Sequence, residues 1–125
     1  MNVTLAVAAG GALGAVSRYW LYTGVHAVLG RGFPFGTLTV NVIGSLLMGF
    51  LYVWLFDRLN AGPLWRAFLL VGCLGGFTTF SAFSIETLNL MQQGAWLKTA
   101  ANVITSVVVC IAMAWLGTIA ARQLA

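Results

Sequence analysis

The stretch GGFTTFSAFSIE, Gly75 to Glu86, decides how this chain is read. It lies inside an apolar segment, yet it gathers two adjacent glycines, two threonines, two serines and three phenylalanines, and it ends on a carboxylate. Gly75 and Gly76 lose the most backbone entropy when fixed in a helix. Thr78 and Thr79 are β-branched, and their hydroxyls compete with the helix for backbone partners. The pairs together predict a break. Broken backbone at membrane depth is tolerated only where it is buried in protein or faces water or an ion. The carbonyls that end the first half-helix turn a partial negative charge to the gap, which suits a small cation. The amides that begin the second half carry the positive dipole end, which favours anions. Phe77, Phe80 and Phe83 are spaced by three, and Phe80 and Phe83 share a face of the second half-helix. Aromatic ring edges are positive. They attract a small anion without the full charge that would trap it, the compromise that conduction needs.

Composition supplies the membrane. The chain has 125 residues, 61% hydrophobic and 6% charged; an ordinary soluble domain carries about 25% charged residues. So few charges cannot solvate a globule of this size. A membrane-spanning helix needs roughly 20 mostly apolar residues. Four segments qualify, with spans at about 3–22, 36–57, 66–90 and 97–122. The short pieces between them, GRGFPFG, DRLNAGPLWR and MQQGAWLK, are punctuated by Gly, Pro or both, as turns require. The expectation is an all-α membrane protein of one domain, 1–125, with four transmembrane helices and the third broken mid-membrane. Cys73 and Cys110 fall inside predicted spans, where lone cysteines are packing residues rather than a disulfide framework.

The net charge of +4 does not read as a nucleic-acid footprint, because the six cations are scattered. The positive-inside rule orients membrane proteins by their loop cations. One side holds Arg58, Arg66 and Arg122. The other holds Arg31 and Lys98, joined by Arg18, which snorkels that way. An even tally gives no preferred orientation and predicts insertion both ways. An inverted pair would supply eight helices and place binding sites near the midplane.

Helix faces add detail. Gly10 and Gly14, and Gly72 and Gly76, have the spacing that lets helices approach closely in lipid. Thr37, Asn41, Ser45 and Gly49 form one stripe on the second span, and Asn102, Ser106 and Cys110 form another on the fourth, with Thr99 nearby. One such stripe is explained by interhelical hydrogen bonds, worth about 0.6 kcal/mol each. Two stripes, each with an asparagine, point to a hydrated path. No titratable group lies mid-span, whereas proton-coupled transport needs one there. Glu86 sits at the polar end of its segment. A passive path fits better.

GGFTTFSAF, Asn41 within GTLTVNVIGS, and GALGAVSRYW in the first span resemble the Fluc (CrcB-type) fluoride channels over the whole chain. The resemblance implies an antiparallel, dual-topology homodimer in a bacterial inner membrane, with two pores that pass fluoride out of the cytoplasm and exclude chloride. It implies pore roles for Asn41, Phe80, Phe83 and Ser81, and for Asn102, Ser106 and Cys110 along the last helix. Arg18 resembles a vestibule position. A structural sodium ion at the dimer interface would be held by the backbone carbonyls of Gly75 and Thr78. Partners are then fluoride, a second copy and the bilayer, with no nucleic acid. Ala82 and Cys110 depart from the family, where hydroxyl residues are expected.

Rival readings find less support. A small drug exporter needs an acid in the first span, and Val3 to Ser17 has none. A subunit of a larger complex would show no transport alone. An enzyme has nothing to stand on, since His26 has no nucleophile or metal-ligand partner at a recognisable spacing, and no catalytic residue is expected.

Overall fold

The computed structural model describes residues 2–124. The first helix, α1, runs Val3–Leu29. Its N-terminus is capped by Asn2, whose side chain accepts from the Leu5 amide at 2.8 Å. Helix α2 covers Phe35–Val53 and continues through a wider π-type turn, Trp54–Arg58. Helix α3 is built from three contiguous pieces: Pro63–Arg66, a π-helical stretch Ala67–Leu74, and Gly75–Phe77. Two residues outside any helix follow. Then come α4, Phe80–Gln92, and α5, Trp96–Gln123. The segment Pro63–Gln92 is therefore interrupted at Thr78 and Thr79, where the sequence predicts a break. The π-helical stretches have no counterpart in the sequence reading.

Among the described residues, the segments Phe35–Arg58, Pro63–Gln92 and Trp96–Gln123 are long and apolar enough to cross a membrane. Helix α1 has the length, 27 residues. Its Arg18, its glycines and the Tyr19, Trp20 and Tyr22 that follow Arg18 dilute its apolar character. It also extends seven residues past Tyr22, the expected end of the first span, because the apolar run gives way there to residues that still favour or tolerate a helix.

Two helix pairs organise the bundle, α1 with α3 and α2 with α5. The first pair meets backbone to backbone. A Cβ on Gly10 would lie 2.9 Å from the Cys73 amide nitrogen, and one on Gly14 would strike the Cys73 carbonyl oxygen. No side chain fits between these helices, so glycine is required at the crossing. The second pair meets in the same way at Gly49 and Gly117. Leu55, Leu70 and Leu74 form a small buried apolar cluster. The exterior is covered with large apolar side chains such as Leu97, Ile111 and Trp115, all exposed in the single chain. This inversion of the soluble pattern is what a lipid solvent permits.

The loop after α1 is fixed by polar contacts. The buried His26 ring bonds the Gly30 carbonyl through Nδ1 at 2.8 Å, and its Nε2 accepts from the Gly36 amide at 3.2 Å. Lys98, at the start of α5, donates to the Gly32 carbonyl at 3.0 Å.

Candidate functional site

At the interruption the backbone of Thr78 (φ −88°, ψ 157°) and Thr79 (φ −152°, ψ 116°) is extended. The Thr78 amide and hydroxyl both donate to the Leu74 carbonyl, at 3.0 and 2.9 Å, and finish the first half-helix. The Thr79 amide leaves the helical pattern and donates to Asn41 Oδ1 at 2.8 Å. In return Asn41 Nδ2 donates to the Thr79 carbonyl at 3.0 Å. One side-chain amide thus satisfies both backbone groups of the residue that has left the helix. The Thr79 hydroxyl accepts from the Ala82 amide at 3.1 Å and caps α4. Helix N-caps of this type contribute about 1 kcal/mol. Close by, a Cβ on Gly44 would strike the Thr78 methyl, so α2 lies directly against the gap.

The break aims α4. Phe80, its first residue, is 78% exposed in the single chain. The half-buried Phe83 lies beside it, with ring centroids 5.4 Å apart and planes tilted by 48°. An open groove of about 330 Å³ runs past the gap. Asn41, Ser45, Thr78, Thr79, Phe80 and Cys110 line it. This one groove joins Asn41 of the α2 stripe, Cys110 of the α5 stripe and the first ring of α4.

The other residues expected to act together lie elsewhere. Ser81 and Arg18 border a second, wider depression of about 610 Å³ with Thr79, Glu86 and Tyr22. There the Thr37 hydroxyl donates to Glu86 Oε1 at 2.7 Å, and the buried Glu86 Oε2 has no partner among the described residues. A third depression of about 360 Å³ holds Arg31, Lys98, His26 and Glu86 near the first loop. Asn102 is buried and borders none of the three; its Nδ2 donates to the Thr87 hydroxyl at 2.9 Å. Ser106 and Phe83 are half-buried and line none of the three. Thr37 belongs to the α2 stripe, whereas the hydroxyls of Thr79 and Thr87 have no site role in the sequence reading. A Thr ahead of a new helix is a legible cap signal. The pairing of Thr37 with Glu86, 49 residues apart, leaves no local trace.

The break also changes the partners of two carbonyls near the end of α3. In an unbroken helix the amides of Thr79 and Ala82 would go to Gly75 and Thr78. Here they go to the Asn41 and Thr79 side chains. The Gly75 and Thr78 oxygens are thereby released from the helical ladder. Hard oxygen donors of this kind suit a small hard cation. Two oxygens from one chain are too few to enclose such an ion. Among the described residues no group of three His, Cys, Asp or Glu side chains stands close enough to hold a metal. Cys73 and Cys110 are free thiols.

A bundle with an apolar exterior, helices long enough to cross a bilayer and an interruption with polar walls defines a multi-pass membrane protein. Residues 5–118 match the model of the family described as CrcB-like protein, Camphor Resistance (CrcB), and the chain belongs to that family. It is 50% identical over 125 residues to a Coxiella burnetii protein named fluoride-specific ion channel FluC, covering 99% of this chain and 100% of the relative. A Geobacter metallireducens protein of the same name is 46% identical over 124 residues, with 99% and 100% covered. A Methylococcus capsulatus protein of that name is 52% identical over 126 residues. That match covers 100% of this chain and 55% of the relative, so the chain spans about half the length of the M. capsulatus protein.

Proposed function

We propose that the chain is a fluoride-selective channel that lets the anion leave the cytoplasm passively. The observation that carries this reading is the gap at Thr78 and Thr79, held open by Asn41, with Phe80 turned out over a groove that also takes in Cys110. The names of the full-length relatives point the same way. Fluoride dissociates from a weak acid that crosses membranes neutral, so the anion accumulates inside a cell in acidic surroundings. An inside-negative potential drives an anion out with about 2.3 kcal/mol per charge per 100 mV. No pump and no covalent chemistry are required, and the protein is a channel rather than an enzyme.

In this reading α1, α2, the α3–α4 pair and α5 are four spans, and the break lies mid-membrane. The functional unit is an antiparallel homodimer with two pores in a bacterial inner membrane. Three features support it: the even cation tally, the open grooves, which lack an outer wall in the single chain, and the exposure of Phe80. Phe80 and Phe83 present ring edges to the ion. Asn41, Ser81, Ser106 and Cys110 supply the polar surroundings, Asn102 stands behind them bonded to Thr87, and Arg18 stands at the vestibule. The Gly75 and Thr78 carbonyls of two chains would hold a sodium ion. When bound it would supply a fixed positive charge that ties the two breaks together.

The test is flux. Purified protein in liposomes is expected to release fluoride, read with a fluoride electrode, and to retain chloride, read with a chloride electrode. Equal release of both anions would remove selectivity. Retention of both by protein inserted as an intact dimer would remove the channel.

A further inference from the structure

Helix α4 carries both rings, yet it is poorly held by apolar packing. Leu90 is its only buried residue, and its contacts with the other helices are far thinner than those of α2 with α5. Its position must come from something else. Its head is fixed by Asn41 through Thr79. Further along, the Thr87 hydroxyl donates to the Phe83 carbonyl at 2.6 Å and accepts from Asn102 Nδ2 at 2.9 Å. Because its single proton goes to Phe83, only its lone pairs are left to face Asn102. The donor–acceptor order of the chain is therefore fixed, from Asn102 to Thr87 to the Phe83 backbone. Asn102 is among the most buried side chains, at 2% exposure. Neither Asn102 nor Thr87 borders the groove beside Phe80, the depression at Arg18 and Ser81, or the one near the first loop.

We propose that Asn102 and Thr87 form a positioning relay that sets the rotation of α4 against α5, and so the placement of the Phe83 ring. The relay acts through Phe83 and does not touch the ion. Asn102 thereby gains a positioning role within the polar stripe of α5, and Thr87 becomes a functional residue. This inference rests on the channel reading for its flux consequence, but the placement of the ring can be read independently.

The experiment uses the intact assembled protein with 4-fluorophenylalanine incorporated at position 83. Thr87→Val keeps the shape and removes the hydroxyl; Thr87→Ser keeps the hydroxyl; Asn102→Leu removes the donor. The fluorine resonance at 83 is expected to shift or broaden in Thr87→Val and Asn102→Leu, and to return to the parent position in Thr87→Ser. Fluoride flux in liposomes is expected to fall roughly fivefold in each single variant and no further in the double variant, since partners in one network are non-additive. An unmoved resonance in Thr87→Val overturns the relay, as does a double variant whose flux loss is the product of the two singles. Thr87→Val carries the test by itself if Asn102→Leu does not assemble. If the parent protein passes no fluoride, the channel reading fails, and the resonance still decides the relay.

Discussion

The helices on the two sides of the break, α3 and α4, differ in what holds them. The first half, α3, lies against α1 so closely that Gly14 faces the Cys73 backbone with no room for a methyl group. The second half, α4, buries one apolar residue and is fastened by side-chain amides and hydroxyls: Asn41 to Thr79, Thr37 to Glu86, and Asn102 to Thr87. One half is positioned by shape and the other by hydrogen bonds. In lipid the first mode gives rigidity, because close backbone packing has no polar alternative. The second leaves polar groups and exposed rings where an ion can use them.

Substitutions can break or sharpen this contrast. The largest expected effect is in the shape-held half. Gly14→Val forces branched carbon into the Cys73 carbonyl, and overpacking of this kind costs about 3 kcal/mol. Denaturant unfolding in detergent is expected to show that loss, and an unaltered midpoint would mean that the crossing can open. Next comes the joint between the halves. Asn41→Leu strips both backbone groups of Thr79 of their partners. Stability is expected to fall by about 2 kcal/mol, the low end for two unsatisfied groups at about 1–3 kcal/mol each, because both are only part-buried beside the groove. Fluoride release should slow along with it. Thr79→Ala removes the cap on the Ala82 amide and is expected to lower stability by about 1 kcal/mol. A loss as large as that of Asn41→Leu would show that the hydroxyl rather than the amide holds the gap. The smallest change in stability belongs to the hydrogen-bonded half. Phe80→Ile, at an exposed ring, is expected to leave the unfolding midpoint within about 0.5 kcal/mol. It should nevertheless slow fluoride flux while the assembly persists. Unchanged flux would make the ring a packing residue only.

The contrast also explains what could be read from the chain. The break was legible because Gly75, Gly76, Thr78 and Thr79 each disfavour a helix for a local reason, and local reasons are written in neighbouring residues. That α1 and α3 each carry a close-packing face was legible as well, from glycines four apart, but not that the two faces meet each other. The polar stripes on α2 and α5 were legible as stripes, but their partners were not. Asn41 was expected to face an ion path. It does border the groove, and it also closes on the backbone of Thr79, 38 residues away. Asn102 was expected to share a track with Ser106 and Cys110. It turns inward to Thr87, because a buried amide finds the nearest hydroxyl on whichever helix packs against it.

By itself the sequence determined the solvent, the helical content, the place of the interruption and the residue types around it. These follow from composition and from propensities that act over a few residues. Only the tertiary structure decided which polar side chain answers which backbone group, that Ser81 and Arg18 border a different depression from Asn41 and Phe80, and that α4 hangs on hydrogen bonds rather than on a core. The physical reason is range. Helix breaking is settled within a turn, whereas a hydrogen bond between helices depends on how each helix is rotated, and that rotation is set by the packing of the whole bundle.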